Sequence, residues 1–315
     1  MKFNYLLIFT LFSSITFSAQ NLDRDQIYLA DPTIFEEGGT YYLYGTKADP
    51  NIKGQGFLVY SSQDLKTWKG PVGASEGFAL KKGDSFGDKG FWAPQIFKYN
   101  AKYYMAYTAN EQIAIASGES PLGPFTNNGN ALESSVKQID PFIFFDKDKV
   151  YLYHVRLQDG NRIFVAEINK SLTGIKPETL KECIHAEVKW ENTESAGWPV
   201  TEGPTVFKND GLYYLLYSAN DFRNPDYAVG YATSENPLGP WHKACENPII
   251  SQKNTGYPGI GHGDLFYDGN DEINYVLHAH YSENKVYPRR TANIKLRLDN
   301  KNIVSILSKF NWLGK

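Results

Sequence analysis

The chain has 315 residues and a formal net charge of −3, with 32 Lys and Arg against 35 Asp and Glu. That balance, without basic runs, excludes nucleic acid and anionic membrane surfaces as expected partners. Two cysteines, Cys183 and Cys245, exclude a disulfide scaffold and leave their own pairing open.

In chain order the first expected element is a leader. Lys2 precedes an apolar run over 5–12 and a small-residue stretch over 13–19 that ends at Ala19. One positive charge, a short apolar core and a small-residue end predict a secretory signal peptide over 1–19. The apolar run is too short to span a bilayer. The mature protein is therefore expected to be exported, periplasmic or secreted, with no membrane span. Residues 20–315 are expected to form a single domain, as all-β chains of this length commonly do.

One pattern then recurs through the rest of the chain. It reads Asp31-Pro-Thr-Ile-Phe35, a Gly turn, and Tyr41-Tyr-Leu-Tyr-Gly-Thr46. It returns as Ala93-Pro-Gln-Ile-Phe97 with Tyr103-Tyr-Met-Ala-Tyr107, and as Asp140-Pro-Phe-Ile-Phe144 with Val150-Tyr-Leu-Tyr-His154. The fourth copy is Gly203-Pro-Thr-Val-Phe207 with Tyr213-Tyr-Leu-Leu-Tyr217, and a weaker fifth is His262-Gly-Asp-Leu-Phe266 with Asn274-Tyr-Val-Leu-His278. Each copy is a hairpin by its chemistry: an apolar strand, a Gly, Asn or Asp turn, then an aromatic strand. A second strand pair follows most copies, beginning at Gly56, Ile113, Ile163, Ala228 and Asn293. Repeats of this kind predict an all-β fold, a five-bladed β-propeller with four antiparallel strands per blade.

In a propeller the first strand of each blade lines the central axis. Aligning the repeats on their Phe puts Asp31, Ala93, Asp140, Gly203 and His262 at one level, and Ala30, Trp92, Ile139, Glu202 and Gly261 one residue earlier. Asp31, Asp140 and Glu202 are thereby expected to converge on one mouth. A single Asp-Pro is an ordinary turn former. Acids at three blade starts repel one another, and proteins accept that cost mainly at functional sites. Clustered carboxyls suit either calcium binding or glycoside cleavage. The 15% aromatic content favours the second, because sugar rings stack on aromatic faces, and Trp92 is the expected platform.

Asp31-Pro32, Phe91-Trp92-Ala93-Pro94, Ile139-Asp140-Pro141 and Thr201-Glu202-Gly203-Pro204, in this order and spacing, resemble glycoside hydrolase family 43. The resemblance implies an inverting hydrolase acting on arabinose-, xylose- or galactose-containing glycans. It implies Asp31 as general base, Glu202 as general acid and Asp140 as the acid that orients Glu202 and tunes its pKa. It also implies a central-channel role for His262, with calcium or water as its partner, and substrate contact by Arg290, an assignment blurred by its neighbour Arg289. Trp198 lies four residues before Glu202 and is a candidate for lining the pocket. No cofactor is expected for the chemistry; a structural calcium held by His262 is the one metal considered. The expected partner is an oligo- or polysaccharide.

The activity expected first is that of an exo-acting α-L-arabinofuranosidase. A β-xylosidase, an endo-arabinanase or a galactan-cleaving enzyme remains open, as does a glycan-binding propeller without turnover.

Overall fold

Each repeat folds into a small antiparallel sheet, and the sheets follow one another around an axis. The structure, a computed structural model, describes residues 22–23, 25–268 and 273–315. The leader expected over 1–19 lies outside the described residues. Blade one comprises β1 (Leu29–Glu37), β2 (Thr40–Lys47), β3 (Gly56–Ser62) and β4 (Phe78–Lys81), and blade two β5 (Trp92–Tyr99), β6 (Lys102–Ala109) and β7 (Gln112–Gly118). Blade three comprises β8 (Gln138–Asp146), β9 (Lys149–Leu157), β10 (Asn161–Ile168) and β11 (Lys181–Ile184). Blade four is β12 (Thr201–Asn209), β13 (Leu212–Ala219), β14 (Ala228–Ser234) and β15 (His242–Lys243). Blade five is β16 (Gly261–Tyr267), β17 (Ile273–Ala279), β18 (Arg290–Asp299) and β19 (Asn302–Trp312).

The five-bladed propeller expected from the repeats is thus the fold, with one departure: blade two has three strands. Its fourth edge is reduced to a single bridge between Ser117 and Thr126. Pro121 and Pro124 remove donors from that segment, and its remaining backbone bonds turn to blade one. Phe125 N–H donates to Ala79 O at 2.8 Å and Ala74 N–H to Leu122 O at 2.9 Å. Among the described residues no helix is long and apolar enough to cross a membrane.

A blade buried on both faces needs apolar side chains on both, so its middle strands read as almost unbroken apolar runs. The buried clusters lie between successive blades. Val59 and Met105 join blades one and two, Leu152 and Ala106 blades two and three, and Tyr153 and Leu215 blades three and four. Tyr214 and Tyr275 belong to the cluster between blades four and five. Leu43 and Val276 close blade five on blade one. The ring is stitched at that junction by a short segment before β1. Ile27 N–H donates to Leu313 O at 3.1 Å, Thr291 N–H to Ile27 O at 3.2 Å, and Gln26 bridges to Gly314.

Every first strand carries an irregularity at the same place. Register shifts occur at 30–33, 92–95, 139–142, 202–205 and 261–263. At these bulges Asp31, Ala93, Asp140, Gly203 and His262 all have positive φ, between 40° and 61°. Only one of the five is glycine, so the strain of a left-handed backbone is held in place by the packing around it. Bulges of this kind re-aim side chains. Here they turn the residues of one sequence level toward one end of the axis.

Candidate active site

The bulge amides are satisfied across blade boundaries. Asp31 N–H donates to His278 Nδ1 at 3.2 Å, Ala93 N–H to Thr46 Oγ1 at 2.9 Å, Asp140 N–H to Thr108 Oγ1 at 2.9 Å, and His262 N–H to Ser218 Oγ at 2.7 Å. These acceptors share one position of the second strand, opposite Gly261, Ala30, Trp92 and Glu202. In blade three the same position, opposite Ile139, is Val155. Valine accepts nothing, and Gly203 N–H donates instead to Asp140 Oδ2 at 3.2 Å.

Asp31 is surrounded by a hydroxyl, a guanidinium and two imidazoles. Its Oδ2 accepts from Thr46 Oγ1 at 2.6 Å, and Arg289 Nη1 donates to Oδ1 at 3.2 Å. His262 Nδ1 and His278 Nδ1 each lie 3.4 Å from Oδ1. Thr46 has its oxygen occupied by Ala93 N–H, which leaves its proton for the carboxylate. Burial alone raises the pKa of Asp31. Arg289, the two histidines and the Thr46 bond outweigh it and hold the carboxyl well below the usual range.

The other two acids are shifted the opposite way. Glu202 is pushed up to about 7, chiefly by burial; the charge of Asp31 adds to this, and hydrogen bonds from Tyr227 and Asn161 oppose it. Asp140 is pushed well above the carboxylate range by burial and then by the charges of Glu202 and Asp31. Tyr227 OH donates to Glu202 Oε1 at 2.8 Å and Asn161 Nδ2 to Oε2 at 3.1 Å. The Asn161 amide is oriented by Trp198, whose Nε1–H donates to Asn161 Oδ1 at 2.9 Å. An indole can only donate, so the amide must present its NH₂ group to Glu202.

Glycine stands at the bulge of blade four for a steric reason. A Cβ at Gly203 would lie 2.7 Å from His262 Cδ2. The acid of that blade is therefore carried one residue earlier, on Glu202.

The sequence level thus brings Asp31, Asp140, Glu202 and His262 together around one pocket of about 520 Å³, and Trp92 and Trp198 line it as expected. Both indoles are exposed, at 38% and 49%. Arg290 is not part of the site. Its guanidinium lies 3.5 Å from the centroid of the Trp312 ring, and Arg289 lines the pocket instead. Arg290 opens β18 and Arg289 stands just before it; successive side chains of extended chain point to opposite faces, so only one of the two can reach Asp31. Thr46, His278, Asn161 and Tyr227 join the site without having been expected from the first strands of the repeats. Aligning the second strands as well as the first would have found Thr46 and His278. Asn161, Tyr227 and Arg289 also share a position, two residues before Ile163, Val229 and Thr291, the third-strand partners of Val155, Ser218 and His278.

His262 stands on the axis with its Nδ1 facing Asp31 and Asp140, at 3.4 and 3.9 Å, and its ring also borders the axial channel beside Gln95, Thr205 and Asp264. The remaining axial carboxylate, Asp264, accepts from Thr33 Oγ1 at 2.7 Å and from its neighbour Leu265 N–H at 2.7 Å. Among the described residues no three His, Cys, Asp or Glu side chains form a metal-holding group. Cys183 and Cys245 are separate thiols.

The family model described as glycosyl hydrolases family 43 matches residues 26–304. A xylosidase/arabinosidase of Butyrivibrio fibrisolvens is 30% identical over 80% of this chain, which spans only 49% of that relative's length. An extracellular exo-α-(1→5)-L-arabinofuranosidase of Cellvibrio japonicus is 25% identical, with 81% of this chain and 80% of that protein covered. Among solved structures, an endo-1,4-β-xylanase from Bacteroides thetaiotaomicron is 40% identical and superposes with a TM-score of 0.82, covering 89% of this chain and 95% of that one.

Proposed function

The chain belongs to glycosyl hydrolases family 43, and from that premise we propose that it hydrolyses arabinose- or xylose-containing plant glycans with inversion at the anomeric carbon. One observation carries the reading: in a single pocket, surroundings push one carboxyl far below neutral pH and another up to about 7. Such divergent environments assign base and acid to a pair of carboxyls.

In the proposed reaction Asp31, ionised, takes a proton from a water molecule as that water attacks the anomeric carbon. Glu202, protonated, gives its proton to the departing glycosidic oxygen as the bond to carbon breaks. Proton gain at Asp31 balances proton loss at Glu202, and solvent returns both to their starting states. Arg289 and Thr46 hold the base charged and in place. Asp140, kept from ionising by burial and by its two acidic neighbours, positions Glu202 through the Gly203 amide, whose N–H it accepts next to the acid in the chain.

Exposed Trp92, Trp198 and Tyr287 around this pocket suit the apolar faces of sugar rings. Relatives named for xylose and arabinose support a pentose-containing substrate. Export is part of the same proposal, supported by the leader-like segment 1–19 and by relatives named as extracellular.

The test is a panel of aryl α-L-arabinofuranoside, aryl β-xyloside, linear arabinan and xylan, given to the wild type and to Glu202→Gln. Release of sugar by the wild type alone supports the assignment and names the sugar. Binding without turnover in both proteins would leave a glycan-binding propeller.

A further inference from the structure

A second cavity, of about 630 Å³, adjoins the catalytic pocket and shares Trp198, Val200 and Asp221 with it. Its walls are the segment leading into β12 and the turn after β13, and they are braced against each other. Thr193 N–H donates to Asn220 Oδ1 at 2.8 Å, and Asn224 Nδ2 donates to Thr193 Oγ1 at 3.2 Å. Asn192 clamps the tip of the segment, accepting from Ala196 N–H at 2.8 Å and donating to Ala196 O at 3.1 Å. The wall asparagines are therefore committed to holding a preformed hollow. Exposed Glu194 at its rim offers an acceptor, and Arg223, whose Nε donates to Asp221 Oδ1 at 2.7 Å, offers its remaining donors.

Building on the hydrolase reading above, we propose that this cavity binds the leaving-group portion of a glycan chain, so that the substrate passes over Trp198 from one hollow to the next. The direction follows from the hydrogen-bond path. Trp198 Nε1–H reaches Glu202 through a single residue, Asn161, so the indole stands on the side of the acid. The acid delivers its proton to the departing oxygen, and whatever lies beyond it on that side meets the departing sugars. The half-exposed indole presents a flat apolar surface for a sugar ring, while the rim charges suit hydroxyls.

Calorimetric titration of Glu202→Gln with linear xylo- and arabino-oligosaccharides of increasing length tests this, because binding is read without turnover. Affinity is expected to rise about tenfold as units are added beyond the cleaved bond, a gain typical of one well-seated ring. Adding Ala196→Trp, which fills the cavity from an exposed position, should abolish that rise while leaving the affinity for the monosaccharide unchanged. Glu194→Ala, which only shortens a surface side chain, should reduce the rise about threefold. A length dependence that survives both substitutions, or none in Glu202→Gln itself, overturns the proposal. Failure of the hydrolase reading would show separately, as a wild type that binds glycans and turns none over.

Discussion

The amide of Gly203 donates to Asp140 at 3.2 Å, and it does so where the other blades send the equivalent amide to Thr46, Thr108, Ser218 or His278. Val155 occupies the position where a hydroxyl would have taken that bond. Replacing Val155 by threonine, at nearly the same volume, should hand Gly203 N–H to the new hydroxyl and deprive Asp140 of its donor. We expect kcat to fall about fivefold with KM little changed, about what one neutral hydrogen bond is worth. Asp140 is already held protonated, so the alkaline limb set by Glu202 should stay where it is. Steady-state kinetics across pH read both; an unchanged kcat would mean Asp140 does not act through this bond.

Arg289 and Arg290 should separate cleanly. Arg289→Met removes the guanidinium 3.2 Å from Asp31 and leaves a buried carboxylate with only Thr46 and the two histidines around it. The pKa of Asp31 should rise, moving the acid limb of kcat/KM to higher pH, and stability should fall by about 3 kcal/mol, as breaking a buried ion pair does. Arg290→Met loses only a stacking contact with Trp312 and should leave the pH profile where it was.

Tyr227→Phe removes the hydroxyl that donates to Glu202 Oε1. A donor to the carboxylate favours ionisation, so its loss should raise the pKa of Glu202 above about 7. The alkaline limb of kcat/KM should move up by about one pH unit, the equivalent of one hydrogen bond to a charged group. A limb that stays put would place the titrating acid elsewhere.

Glu202 also links activity to stability. Its folded pKa lies above its unfolded value of 4.5, so the folded state binds the proton more tightly. The associated stability is present below about 4.5 and is lost as pH rises toward about 7. Glu202→Gln abolishes turnover and also that loss. Relative to wild type it should gain on the order of 2–3 kcal/mol between pH 5 and pH 8. Chemical denaturation at the two pH values measures the difference; a constant offset would show that Glu202 does not titrate in this interval.

The fold was legible because the hairpin repeats itself and its strands are apolar on both faces. The level shared by Asp31, Asp140 and His262, with Glu202 one step earlier, could be drawn from the sequence because a bulge recurs at one register in every blade. Trp92 and Trp198 were found by their closeness in the chain to those levels. The missing fourth strand of blade two was not legible, since it depends on where Phe125 finds its acceptor in another blade. The choice between Arg289 and Arg290 was not legible, because a one-residue difference decides the face and only the pairing of β18 with β17 fixes it. Asn161 and Tyr227 reach Glu202 from the third-strand position that Arg289 holds in blade five, a correspondence that only the pairing of second and third strands reveals.

The propeller is a circle closed by hydrogen bonds and packing between its first and last blades, and this seam runs beside the chemistry. Asp31 belongs to the blade on one side, while His278 and Arg289 come from the other. Any breathing of the circle at its seam pulls the base away from the groups that keep it charged, before a single blade has come apart. Catalytic competence is therefore a gauge of ring closure: on warming, turnover should fade while the blades' own circular-dichroism signal is still intact.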